Sequence, residues 1–148
     1  MATYRGENPL SQAMKDDARG VVRQFTGIMK QIGNIAINEA KENFRRQGFM
    51  DRSLKRWKPR KKRDEGRAIL VKSGALRRSI RRISVSNKRV TIGSKGKPAV
   101  YAGVHNYGLK AGRGKGFTMP KRQFLGPSHT TNKRIVNLIK KKIKKGFK

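Results

Sequence analysis

From residue 11 to residue 47 the apolar positions advance by threes and fours. Met14, Ala18, Val21, Val22, Phe25, Ile28, Met29, Ile32, Ile35, Ala36, Ala40 and Phe44 fall into one stripe. A single stripe of this period predicts a long amphipathic helix, with the stripe turned to the core. Ser11 is placed to cap its start, and Gly48 stands where a left-handed residue would end it. Gly20, Gly27 and Gly33 weaken helix propensity inside the stripe. They mark either close packing or a break into two pieces.

Past residue 48 the helical period stops. Residues 48–72 read as a basic loop that holds the single tryptophan, Trp57. Pro59 bars a helix interior there, and the adjacent cations Arg60, Lys61, Lys62 and Arg63 repel one another. Ser73-Gly74-Ala75-Leu76 opens a short helical turn or leads directly into extended chain. Ile83 and Val85 alternate with polar residues, as do Val90 and Ile92, with Asn87-Lys88 between them. This predicts a β-hairpin with one apolar face.

Val100 to Tyr107 is a compact apolar segment that predicts a short helix ended by Gly108. Residues 109–118, rich in Gly and Lys, read as a flexible excursion. Residues 119–128 contain Pro120 and Pro127 and read as extended. Ile135, Leu138, Ile139 and Ile143 form a last helical stripe, which Thr130 or Thr131 could cap. The expected fold is therefore α+β: a long N-terminal amphipathic helix packed on a small antiparallel β-sheet, with a basic C-terminal helix. Its 148 residues fit one domain, 1–148. Flexible basic loops near 58–66 and 109–118 and a basic C-terminal tail complete it.

Charge changes the picture more than composition does. Thirty-nine Lys and Arg stand against eight Asp and Glu, a formal net charge of +31. All eight acids lie in the first 65 residues, and the 83 that follow carry 23 cations and no acid. Ordinary soluble surfaces intersperse both signs. Self-repulsion on this scale opposes compaction, and an anionic neighbour relieves it. That neighbour is a phosphate backbone or an acidic protein ring.

Little else in the chain points to chemistry. There is no cysteine, and so no disulfide framework or thiolate metal site. No ligand spacing suggests a metal, and no cofactor motif is present. His105 and His129 are the only groups that titrate near neutrality unaided, and no carboxylate follows residue 65 to orient either. His105 reads as a hydrogen-bonded residue in a packed helix. The Gly-rich stretch 108–116 lacks the phosphate-loop spacing, with Leu109 and Gly116 at the positions that need Gly and Ser or Thr. No enzyme is expected.

No apolar run is long enough to span a membrane, and the first twelve residues lack the apolar run of a signal peptide. The terminal stripe, narrow and without Trp, suits packing better than a membrane surface.

Three basic clusters remain as contacts to nucleic acid or to an acidic partner. They are Arg60, Lys61, Lys62 and Arg63; Arg77, Arg78, Arg81 and Arg82; and Lys140, Lys141, Lys142, Lys144 and Lys145. Arginine forks suit bidentate contacts, so the second cluster is expected to fix a specific partner, while the lysines add affinity.

Three ordered blocks resemble the virion morphogenesis, or tail completion, family of long-tailed bacteriophages. The first runs from Trp57-Lys58-Pro59 through Ile69 and Leu70 to Ser73-Gly74-Ala75-Leu76-Arg77-Arg78-Ser79-Ile80. The second is Tyr101-Ala102-Gly103-Val104-His105-Asn106-Tyr107-Gly108. The third is Met119-Pro120-Lys121-Arg122-Gln123-Phe124-Leu125-Gly126. Lys121 and Gln123 depart from the small residues or proline common in that family, and the charge is unusually basic.

The resemblance implies a structural subunit of a homo-oligomeric, six-fold ring in the head–tail neck. Such a ring completes the tail and meets tail terminator or connector proteins. The subunit would be made in the host bacterial cytoplasm and reside in the virion, with contact to packaged double-stranded DNA and none to membrane. Trp57, Tyr101 and Phe124 are expected to be core anchors, with a subunit seam as the other role. An RNA-binding ribosomal-type protein is the alternative. Basic tails suit it equally, but it does not account for the three blocks.

Overall fold

The computed structural model describes residues 9–60 and 67–146, with side chains from residue 15 onward. Lys61, Lys62 and Arg63, and most of the loop expected at 58–66, lie outside them.

Helix α1 (Pro9–Arg46) runs through Gly20, Gly27 and Gly33 without a break. Ser11 therefore lies inside the helix and does not cap it. The left-handed residue at its end is Gln47 (φ 53°), not Gly48. The Gln47 side chain supports that conformation. Its amide donates to the Phe44 carbonyl and its Oδ-equivalent oxygen, Oε1, accepts from the Ile69 amide. Gly48 is needed for a different reason, because a Cβ there would stand 2.7 Å from the Lys55 carbonyl oxygen across a strand pair.

That pair is β1 (Gly48–Met50) with β2 (Leu54–Arg56), antiparallel, so the expected loop 48–72 begins with a hairpin. Strands of three residues leave no readable alternation. Asp51 in its turn accepts from the His129 amide at 2.8 Å and ties the hairpin to the last helix. This bond, with Lys55 nearby, holds the Asp51 carboxyl below its ordinary range.

A five-residue helix α2 (Ala75–Ser79) leads into β3 (Ile80–Val85), which pairs antiparallel with β4 (Val90–Ser94). The Asn87-Lys88 turn is closed by the Ser86 amide donating to the Arg89 carbonyl. A bulge between Arg82 and Ser84 shifts the register. Ile83, expected on the apolar face with Val85, is turned outward by it and lies half-exposed. Arg82 takes the inner face instead, and the hairpin packs on α1 around Gly33.

Helix α3 (Ala99–Tyr107) ends at Gly108 (φ 73°), whose amide donates to the Val104 carbonyl. A Cβ at Gly108 would also crowd the Lys121 backbone at 3.0 Å. The supposed excursion 109–118 contains another short hairpin, β5 (Lys110–Ala111) with β6 (Phe117–Thr118). Helix α4 (His129–Lys144) is capped by Ser128, whose Oγ accepts from the Thr131 amide, so neither threonine is the cap.

The whole is α+β, with the long helix set against small two-stranded antiparallel sheets. Its core gathers Ala40, Phe44, Trp57, Leu76, Ile80, Ala102 and Phe124. Phe44 sits between the Trp57 ring, edge-on at 5.5 Å, and the Phe124 ring at 5.1 Å.

The expected core face of α1 is buried only from Ile28 onward. Val21 and Val22 are about half-exposed, and every residue from Lys15 to Phe25 except Gly20 is exposed. The stripe on α4 is likewise only half-covered. Ile135 and Leu138 are partly buried, while Val136, Ile139 and Ile143 face outward.

Candidate functional site

The three sequence blocks meet around one strap of backbone, residues 119–126, which has no regular structure but is hydrogen-bonded along its length. The Met119 amide donates to the Leu109 carbonyl and the Arg122 amide to the His105 carbonyl, at 2.8 Å. Trp57 Nε1 donates to the Gln123 carbonyl at 2.7 Å. The Asn106 side chain accepts from the amides of Phe124 and Leu125 and donates to the Leu125 carbonyl. Asn43, on α1, donates to the Phe124 carbonyl and accepts from the Met50 amide. Extended chain of this kind survives in an interior only when its polar groups are satisfied.

Beside the strap opens a cleft of about 450 Å³. Ser73, Gly74 and Leu76 of the first block line it, with Tyr101 and His105 of the second and Met119 and Arg122 of the third. Arg60 and Lys72 add two cations to the lining, which contains no acid among the described residues. Arg122 is 6 % exposed. It donates through Nε to the Lys58 carbonyl at 3.0 Å and through Nη2 to that of Pro59 at 3.4 Å. Burial, helped by Arg60, pulls its pKa below the ordinary arginine value.

His105 does not find the partner expected of it among the described residues: Nδ1 is buried with no hydrogen bond. Tyr101, expected in the core, is 40 % exposed and stands edge-on to the His105 ring at 6.1 Å. Trp57 and Phe124 are buried in the core, as are Leu76 and Ala102. Ser79 is buried and bonds the Leu76 carbonyl and Ser94 Oγ, while Pro120, Leu125 and Gly126 belong to the strap.

Burial holds the His105 pKa below its ordinary 6.5, with Arg122 adding to the effect. The unfolded chain therefore takes up a proton near 6.5 that the folded chain resists. The stability from neutral His105 is full above that pH and declines as the pH falls below it. Urea midpoints followed from about pH 7.5 to about pH 5.5 should drop, and His105→Asn should flatten the slope. An unchanged slope in the variant would contradict the assignment.

The described basic residues differ in their surroundings. Arg82 is tied to α1, its Nη1 donating to the Lys30 carbonyl at 3.0 Å and to Asn34 Oδ1. Its Nη1 is thus engaged within the chain while the residue stays exposed. Arg77 and Arg78 line a depression of about 440 Å³ with Glu42 and Arg45 of α1, while Arg81 is exposed. Of the terminal lysines, Lys140, Lys141, Lys144 and Lys145 are exposed and Lys142 is half-buried.

The described acids are largely spent internally. Asp16 pairs with Arg19, Glu42 with Arg45, Asp51 with Lys55, and buried Glu39 with both Arg46 and Arg134 at 2.6 and 2.7 Å. Among the described residues little negative charge is left to face the remaining cations.

Among the described residues no group of His, Asp or Glu could hold a metal ion, and no helix is long and apolar enough to cross a membrane. No curated protein and no solved structure matches the chain. The phage virion morphogenesis family model matches residues 7–144, nearly the whole length, and takes in all three blocks that build the strap and the cleft. The chain therefore belongs to the phage virion morphogenesis family, a structural family not known as enzymatic.

Proposed function

We propose that the protein is a subunit of a ring in the head–tail neck, which completes the tail and joins it to the capsid connector. The observation that carries this reading is the uncovered apolar face of α1. Residues 15–25 extend for roughly 16 Å at a helical rise of 1.5 Å per residue. They keep Ala18, Val21 and Val22 in solvent. A second uncovered face, Val136, Ile139 and Ile143, lies on α4. A closed ring needs two different surfaces on each subunit, one to give and one to receive. An apolar arm and a separate apolar patch meet that need.

The arm also carries Asp16 and Asp17, whereas α4 carries lysines and no acid. Lys15, Arg19 and Arg23 outnumber them on the arm, so docking between the two faces rests on apolar contact rather than on opposite charge. Sedimentation of the full chain should give a closed oligomer. Val21→Asp with Val22→Asp should return it to monomer, with the thermal midpoint nearly unchanged because both sites are exposed. A monomeric parent chain, or an oligomer that survives the double substitution, would contradict the ring.

The remaining positive charge fits a connector or terminator ring of opposite sign, with DNA in the channel as a second contact. Lys140, Lys141, Lys144 and Lys145 are the exposed group best placed for phosphate. Duplex affinity should fall steeply with salt, by a log–log slope of about −0.9 for each phosphate contacted. Replacing these four lysines with Gln should flatten that slope by roughly 3–4. A slope unaffected by the substitutions would remove them from the contact.

A further inference from the structure

The cleft beside the strap has features that neither packing nor ring formation uses. Among the described residues, the buried Arg122 guanidinium of this cleft makes hydrogen bonds only to neutral carbonyls, those of Lys58 and Pro59. These bonds engage two of the five N–H donors that an arginine carries. A buried cation without a carboxylate is unfavourable unless an anion is supplied. His105 presents a second unmet group, its buried Nδ1. Lys72 adds an exposed charge at the rim.

The rest of the wall is apolar, formed by Ile69, Leu70, Leu76 and Met119. Leu70 is held at φ 60°, a conformation that a bulky residue rarely adopts, and it lines this cleft. Local strain of that kind collects where a ligand is gripped.

We propose that the cleft is a receptor for an acidic–apolar peptide segment of a neighbouring virion protein. The peptide's carboxylate is received by Arg122, next to the His105 ring, and an adjacent apolar side chain lies against Leu70 and Met119. The size supports a peptide, since about 450 Å³ takes one or two side chains and excludes a duplex. Apolar walls also suit a peptide better than a phosphate backbone. This inference does not depend on the ring, which uses α1 and α4.

The test uses the full-length chain, labelled with ¹⁵N and titrated with acetyl-Leu-Glu-Leu-amide and its Gln counterpart. The Glu peptide should move the His105 ring and Arg122 Nε resonances saturably. The Gln peptide should bind at least ~10-fold more weakly, since a charge-assisted bond is replaced by a neutral one. Arg122→Lys should shrink that preference several-fold, since it removes the fork while keeping the charge.

Should Arg122→Lys fail to fold, the exposed Lys72→Gln decides: Glu-peptide binding weakens several-fold while Gln-peptide binding is unchanged. Equal affinity for the two peptides, or silent His105 resonances at millimolar peptide, would overturn the proposal. So would inorganic phosphate or a short duplex that shifts the same signals as strongly. Neutralising the chain's own Asp64 and Glu65 should leave the free-state His105 signals in place. A shift matching the peptide's would mean that the chain fills its own cleft, and would also overturn the proposal.

Discussion

Phe44→Ala should lower stability by about 3–5 kcal/mol, the largest effect expected of any single truncation in the chain. Phe44 is 1 % exposed and touches both other aromatic anchors of the core, Trp57 and Phe124. Truncation removes the ring's transfer energy and leaves a cavity whose walls belong to α1, the segment after β2 and the strap. Those three pieces are far apart in sequence and cannot collapse together without breaking the Trp57–Gln123 hydrogen bond.

Urea unfolding should show a midpoint reduced by roughly 2 M at an unchanged slope of about 2 kcal/mol/M. Trp57, the single tryptophan, reports the same event through a red shift of its emission. Val22→Ala, on the exposed arm, is the control and should change stability by less than about 0.5 kcal/mol. A Phe44→Ala protein as stable as the parent would mean that the three blocks are not joined through this ring.

The second large effect is expected at Asn106, where Asn106→Ala should cost roughly 3 kcal/mol. Its side chain is 4 % exposed and serves three backbone groups of the strap at 2.9 to 3.0 Å. Alanine leaves two amides and a carbonyl without partners in a poorly solvated place, at about 1–3 kcal/mol for each group left unmet. The contributions overlap because the strap can shift to recover some of them.

Hydrogen exchange separates this account from general loosening. The Phe124 and Leu125 amides should lose protection well before the Ser86–Arg89 turn of the β3–β4 hairpin does. Equal loss at both would contradict a local pinning role.

These two residues also mark what the sequence made legible. The aromatic anchors could be read directly, because Trp57 and Phe124 are large, apolar and set in recognisable blocks. Asn106 and Asn43 could not, since a buried asparagine looks like a surface one until its backbone partners are known. The same holds for Glu39, buried between Arg46 and Arg134 from two different helices.

The α1 stripe was legible as a helix, and so were the β3–β4 turn and the Gly108 stop. Periodicity reports that a face is apolar and not what covers it, so the exposure of Val21 and Val22 was invisible. The bulge at Ile83 was missed because one extra residue inverts the alternation only locally. The β1–β2 and β5–β6 hairpins are too short to show a period at all. Gln47 concealed its role because its left-handed backbone depends on a side chain bonded to Ile69, 22 residues away.

The cleft is the clearest case of information that is present in the chain but not readable along it. Ser73, His105 and Arg122 stand in separate blocks, and only the folded chain brings them to one cleft, with the strap bonded to α3 at His105. Among the described residues no acid lines the cleft with them, in keeping with the one-sided distribution of Asp and Glu that the sequence displays openly.

Cryo-electron microscopy of intact, purified phage particles tests the structural role most directly. The chain should be found as a closed ring between capsid and tail, with α1 arms bridging adjacent subunits and basic faces against acidic protein or DNA. Particles that are complete and infectious yet hold no density for this chain would contradict it.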